Sequence, residues 1–302
     1  RELLAAIAGR EVALARHDNR RLVRAEALKI GQAGGWPQPF LAPSILYLDG
    51  QAVYFGPNAH KRLGGSNREE RELAASLKSM LGARSYGETL DYFPRRSVDP
   101  ERAFRVRELI ILYLAYLLSL IEVALAHAPG APPAEHCKIR FCRPGWLPDF
   151  GAAAHEVMVS LYERAFAVKA FCGAQLLEAQ GISYALARKA LDHANGEGAP
   201  QPNLDGGVYE ASAVALCYFE DPSTPDRIVI VDVGAGTTDV AGLVKTPMDG
   251  VVKVVGAARR TIDVAGDYFD AALLDLLVSK AHRLKNDAQK NALWRTLSAD
   301  VR

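Results

Sequence analysis

Residues 232–239 read Asp232–Val233–Gly234–Ala235–Gly236–Thr237–Thr238–Asp239. A carboxylate closes an apolar run, a Gly-Ala-Gly turn follows, and two threonines lead to a second carboxylate. Consecutive backbone N–H groups in a turn with few side chains can cradle phosphate oxygens, and the threonine hydroxyls add donors. Burying Asp232 at the end of an apolar strand is costly unless a metal shell, a donor or water meets it. Phosphate beside two carboxylates repels, so a hard cation such as Mg²⁺ is implied between them. The competing reading is a plain β-hairpin with a glycine turn and a solvated Asp239. The paired carboxylates and the strand that follows favour phosphate binding.

The other residue types able to do chemistry are less informative. Glu210 lies in the apolar stretch YEASAVALCYF (209–219), where a bare carboxylate is costly. Lys78 reads, by itself, as a solvated lysine. Arg259 and Arg260 read as an exposed strand end. His17, His60, His127, His136, His155, His193 and His282 show no metal-ligand spacing. Cys137, Cys142, Cys172 and Cys217 are scattered, and read as small buried residues of a reducing, cytoplasmic compartment.

Composition sets the frame for these elements. The chain has 302 residues, 49% hydrophobic and 24% charged, which is ordinary for a globular protein of one large bilobal unit or two domains. Lys plus Arg number 36 against 35 Asp plus Glu, a net charge of +1, so nothing global favours nucleic acid. The apolar stretch Leu109 to Ile121 is closed by Glu108 and Glu122. It is shorter than the roughly 20 residues of a membrane span, and reads as a buried core helix over about 101–127, starting at Pro100–Glu101.

Around the chemistry-bearing stretch the pattern is sharp. IVIVDV (228–233) reads as a buried strand, TTDVAGLV (237–244) as a second, and VVKVVGAA (251–258) as a third. From Asp267, which can cap it, Phe269, Leu273, Leu276 and Leu277 follow a helical period, with Asp270 in the first turn. Upstream, residues 11–30 read as two strands around His17–Asp18–Asn19–Arg20. Residues 43–56 read as a hairpin turning at Asp49–Gly50, since both residues tolerate positive φ. A helix is expected from Pro57, another through Arg71 to Leu81, and a connection over 83–100. A strand is expected over 137–142, helices over about 150–171 and 183–194, a loop over 195–207, and a helix over 209–219. Residues 221–226, DPSTPD, are the expected boundary between lobes, and 281–302 read as a solvated helix.

DVGAGTTDVAGLV resembles the second phosphate-binding hairpin of the actin-like ATPase superfamily, which includes actin, sugar kinases, heat-shock chaperones and bacterial cell-shape filaments. Four further segments fit in the order found in the seventy-kilodalton heat-shock chaperones. PSILYLDGQAVYFGPNAHKRL (43–63) resembles their early hairpin and helix. SLKSMLG (76–82) resembles the segment with the catalytic lysine, which implies that role for Lys78. YEASAVALCYF resembles the helix whose glutamate contacts the metal's water shell, which implies Glu210. VAGDYFD (264–270) resembles the turn that contacts phosphate and starts the next helix, matching at Gly266, Phe269 and Asp270.

The resemblance implies an α/β, bilobal actin-like fold with ribonuclease-H-like sheets. The first lobe spans 1–220, with a small inserted subdomain at about 42–100, and a second, incomplete lobe spans 221–302. It implies an ATP-binding, Mg-dependent ATPase of the chaperone type, driven by lobe closure, with ATP/ADP and Mg²⁺ as cofactors and a protein partner or client. Neither nucleic acid nor membrane is expected as a partner. In that scheme Asp232 and Glu210 hold the hydrated metal, Lys78 and Thr237 reach terminal phosphate oxygens, and Asp239 orients the attacking water. Gly234, Ala235, Gly236, Thr237, Thr238 and Gly266 contact the nucleotide's phosphates. Departures from the family pattern include Ala235, where a glycine is usual, and Ala211, where proline is usual. The first phosphate hairpin is not in RELLAAIAGR (1–10), and the adenosine motif is expected beyond residue 302, so a fragment is expected. The alternatives are a nucleotide-free actin-like scaffold and an actin-like filament-forming ATPase.

Overall fold

The computed structural model describes residues 6–7, 26–64, 72–75, 77, 81, 86–143, 148–196, 203–210, 213–214, 226–234, 238–248, 251–262, 264–280 and 289. It mixes helices and sheets, as an α/β fold requires. Short strands β1 (Ala6–Ile7) and β2 (Glu26–Ala27) pair antiparallel. Ile30, expected in a strand, instead opens helix α1 (Ile30–Ala33). Most of that expected hairpin, including His17–Asp18–Asn19–Arg20, lies outside the described residues.

The Asp49–Gly50 hairpin forms as expected. Strand β3 (Leu46–Leu48) pairs antiparallel with β4 (Ala52–Phe55), Leu48 opposite Val53. Gly50 has φ 96°, a conformation that favours glycine. Asp49 Oδ1 accepts from the Gln51 and Ala52 amides at 2.9 and 2.8 Å, and its other oxygen accepts from Tyr54 and Arg62. Helix α2 (Gly56–Gly64) follows. The helix expected through Arg71 to Leu81 is not continuous. Ala74 is extended and exchanges backbone hydrogen bonds with Leu46 at 3.0 and 2.8 Å, so strand pairing outcompetes helix there. Within the expected connection 83–100, Tyr86–Asp91 forms helix α3.

The spine of this part is helix α4 (Val106–Ala126). It starts later than Pro100–Glu101 predicts. Arg102 has φ 49°, and the buried Asp99 carboxylate accepts the Phe104 amide at 2.8 Å, which holds residues 99–104 in a non-helical turn. The first helical turn is then capped by Glu108, which accepts the Arg105 amide at 2.6 Å. This helix is long and apolar enough to cross a membrane, so the length argument for a core helix fails; burial carries it instead, with 78% of its most apolar window inside the molecule. Helix α5 (Pro148–Cys172) packs along it, joined by Lys169 to Glu122 at 2.5 Å. Helix α6 (Tyr184–Ala194) packs on α5 and is tied to α4 by Arg188 to Glu108 at 2.5 Å. Strand β5 (Ile139–Arg143) falls where CKIRFC predicts one. Strand β6 (Ile182–Ser183) adds to β4, and β7 (Leu204–Tyr209), which starts in the expected loop 195–207 and takes in Tyr209 from the expected helix, runs parallel to β5.

The last part is an antiparallel meander of β8 (Arg227–Val233), β9 (Thr238–Met248) and β10 (Val251–Ile262), followed by helix α7 (Gly266–Lys280). The three strands and the helix match the sequence reading, but two details do not. Strand β8 is not fully buried: Val229, Val231 and Val233 are exposed. In α7 the residues at helical period, Phe269, Leu273, Leu276 and Leu277, are exposed, while Leu274 and Val278 are buried.

Candidate functional site

The register of β8 on β9 builds the site. Paired residues of an antiparallel ladder point to the same face. Ile228 faces Leu243, Ile230 faces Ala241, and Asp232 faces Asp239. Leu243 and Ala241 are buried, with Ile228 and Ile230 packed against them. The apolar face therefore ends, at the mouth of the hairpin, in two directly opposed carboxylates. Asp239 is 8% exposed and Asp232 half-buried. Like charges opposite each other are destabilising, so this pair suits a cation or a set of donors.

The start of α7 is fastened to the same mouth. The Gly266 amide donates to the Gly234 carbonyl at 3.0 Å. The Thr238 hydroxyl donates to the Val264 carbonyl at 2.7 Å. Gly234 and Thr238 are the described residues on either side of the turn, and Val264 and Gly266 flank Ala265, which is 1% exposed. The Ala265 carbonyl accepts the Tyr268 and Phe269 amides, which closes the first turn of α7. A helix N-terminus carries partial positive charge and favours an anion nearby by about 0.3–1 kcal/mol.

The structure thus brings together Asp232, Gly234, Thr238, Asp239 and Gly266. Ala235, Gly236, Thr237 and Lys78 lie outside the described residues. Glu210 is half-buried and directly follows Tyr209, the end of β7, in the sheet that β7 forms with β5. Sequence reasoning missed the Val264 carbonyl and the engagement of Thr238 with it. The only signal was the closeness of VAGDYFD in the chain to the end of β10. Among the described residues no cluster of His, Cys, Asp and Glu is arranged to hold a metal by itself. Cys137 and Cys172 are buried, and burial pushes both thiols up, Cys172 to about 11, which keeps them protonated.

A family model described as Hsp70 protein matches residues 207–300. The carboxylate pair, the hairpin mouth and the fastened start of α7 all fall inside that stretch, as does Glu210; Lys78 does not. Over its last third this chain resembles the Hsp70 family of actin-like ATPases.

Proposed function

We propose that the chain binds ATP with Mg²⁺ at the β8–β9 turn and hydrolyses it in the manner of a heat-shock chaperone, by closing two lobes around the nucleotide. The single observation that supports this most is the opposed pair Asp232 and Asp239 at the hairpin mouth, beside a helix N-terminus, inside the stretch similar to Hsp70. The residues fit the group: two carboxylates on one face suit a hydrated divalent ion, and a glycine-containing mouth next to a helix start suits phosphate. Asp232, with Glu210, would hold the hydrated ion, which neutralises phosphate charge when bound. Gly234, Ala235, Gly236 and Thr237 would contact phosphate oxygens. Lys78 would reach the terminal phosphate, and Asp239 would orient a water. In this reading the lobes are residues 1–220 and 221–302, with a subdomain at about 42–100. A protein client and a cytoplasmic location belong to the same proposal.

Calorimetry on the protein tests it. MgATP should bind, binding should weaken strongly when the metal is chelated, and Asp232→Asn should lower affinity about tenfold or more. Absence of MgATP binding by the wild type overturns the proposal and leaves the nucleotide-free scaffold. Sedimentation of the chain only when MgATP is added would identify a filament-former instead.

A further inference from the structure

We infer that Thr238 is a positioning residue that clamps the hairpin mouth to the start of α7, and that its hydroxyl does not donate to phosphate. A threonine hydroxyl has one proton to give, and here that proton goes to the Val264 carbonyl at 2.7 Å. What remains on the oxygen is acceptor capacity, which repels an anionic phosphate oxygen. The Gly266 amide is likewise a single donor, engaged by the Gly234 carbonyl at 3.0 Å. The two bonds hold both legs of the hairpin, one at Gly234 and one at Thr238. They grip the β10–α7 turn on both sides of the buried Ala265. A link at one point is a hinge, whereas links at two points fix orientation as well as distance. The hairpin mouth and the first turn of α7 therefore move as one body, and a shift of either is imposed on the other.

The geometry stands without the nucleotide; the consequence, that this clamp aims the helix N-terminus at the phosphate, rests on the reading proposed above. The experiment separates the two. Amide hydrogen exchange is measured by NMR on the full chain without nucleotide, for wild type, Thr238→Val and Thr238→Ser. Loss of the hydroxyl bond should speed Gly266 exchange by roughly five- to tenfold and leave the Ala241 amide in the β9 ladder unchanged, and Thr238→Ser should restore it. Unchanged Gly266 exchange in Thr238→Val overturns the clamp. If Thr238→Val does not fold, the wild type alone decides: a Thr238 hydroxyl proton protected from exchange with water, together with a scalar coupling from the Gly266 N–H to the Gly234 carbonyl, supports the clamp, and a freely exchanging hydroxyl proton refutes it. MgATP affinity of the same variants is the second arm. A fall in Thr238→Val that accompanies faster Gly266 exchange supports positioning. A fall without it assigns Thr238 to the phosphate and overturns the inference. A wild type that binds no MgATP removes the nucleotide reading, while the exchange result still decides the clamp.

Discussion

Two regions of this chain treat their apolar side chains in opposite ways. Around α4 they are gathered inward: Leu112, Tyr113, Leu120 and Phe104 are 2% exposed or less, and helices α5 and α6 close over them. Among the described residues of the β8–β10 meander, Ala241 and Leu243 form a small buried cluster, with Ile228 and Ile230 against it. Val229, Val231 and Val233 on the other face of β8 are 58–71% exposed. The difference is one of layers: a sheet with one covered face gains about half the burial of an element enclosed on all sides. The residues proposed to bind phosphate sit at the mouth of this half-covered sheet, where the Gly266–Gly234 and Thr238–Val264 hydrogen bonds hold the backbone.

The sharpest test of that contrast is a pair of truncations. Phe104 is fully buried, edge-on to Tyr184 at 5.0 Å, with the Arg188 guanidinium 4.8 Å from its ring centre. Phe104→Ala should cost about 3–5 kcal/mol, because it leaves a cavity that α4 and α6 cannot close. Ile230→Ala, in the half-covered sheet, should cost about 1 kcal/mol, since the side chain is only partly withdrawn from water. Urea denaturation read by circular dichroism measures both. Equal losses would mean that the meander is packed as tightly as the α4 core.

A smaller effect belongs to the Asp49 hairpin, which is held by charge rather than by volume. Burial alone would push the Asp49 carboxyl up. Hydrogen bonds from the Ala52 and Gln51 amides, Tyr54 and Arg62 outweigh burial and hold it below the ordinary carboxylate value. A folded pKa below the unfolded one means that the ionised group stabilises the fold. That contribution is complete above the unfolded pKa, near 3.9, and is lost as pH falls through the lower folded value. Asp49→Asn should therefore cost about 1–2 kcal/mol at neutral pH and flatten the acid limb of a stability–pH profile. An unchanged acid limb would show that the hairpin does not depend on the ionised form.

Those two regions also show what was legible in the sequence. Asp49–Gly50 announced its hairpin because turn chemistry is local: one carboxylate serves amides two and three residues away. The three strands of the meander and the start of α7 were legible from β-branched runs and a glycine turn. Non-local effects were not. The helix expected through Arg71 to Leu81 gave way at Ala74, because a partner strand edge at Leu46 offered two backbone bonds. The start of α4 moved to Val106 because Asp99 holds the preceding turn. In the candidate site, Asp232, Asp239 and Gly234 were readable from one octapeptide, and their face-to-face pairing follows from hairpin register. The bond from Thr238 to the Val264 carbonyl was not readable, because it joins residues 26 apart and uses a backbone acceptor that leaves no side-chain signature.

Helix α7 offers the finest version of the same comparison, within a single element. Its sequence period pointed to Phe269, Leu273, Leu276 and Leu277 as the packed face, yet these are exposed, and Leu274 and Val278 are the buried pair, four residues apart on one side of the helix. Apolar residues occur on nearly every side of this helix, so periodicity alone does not say which side is covered. Substitution does. Leu276→Lys should change stability by no more than about 0.5 kcal/mol, because a side chain already in water gains or loses little by becoming charged. Leu274→Lys, about two turns into the helix on the covered side, should cost several times more, because the ammonium would have to be desolvated or the helix displaced. Urea denaturation of the two variants at neutral pH reads the difference. The reverse order would put the covered face of α7 on the Leu276 side, as its sequence period first indicated.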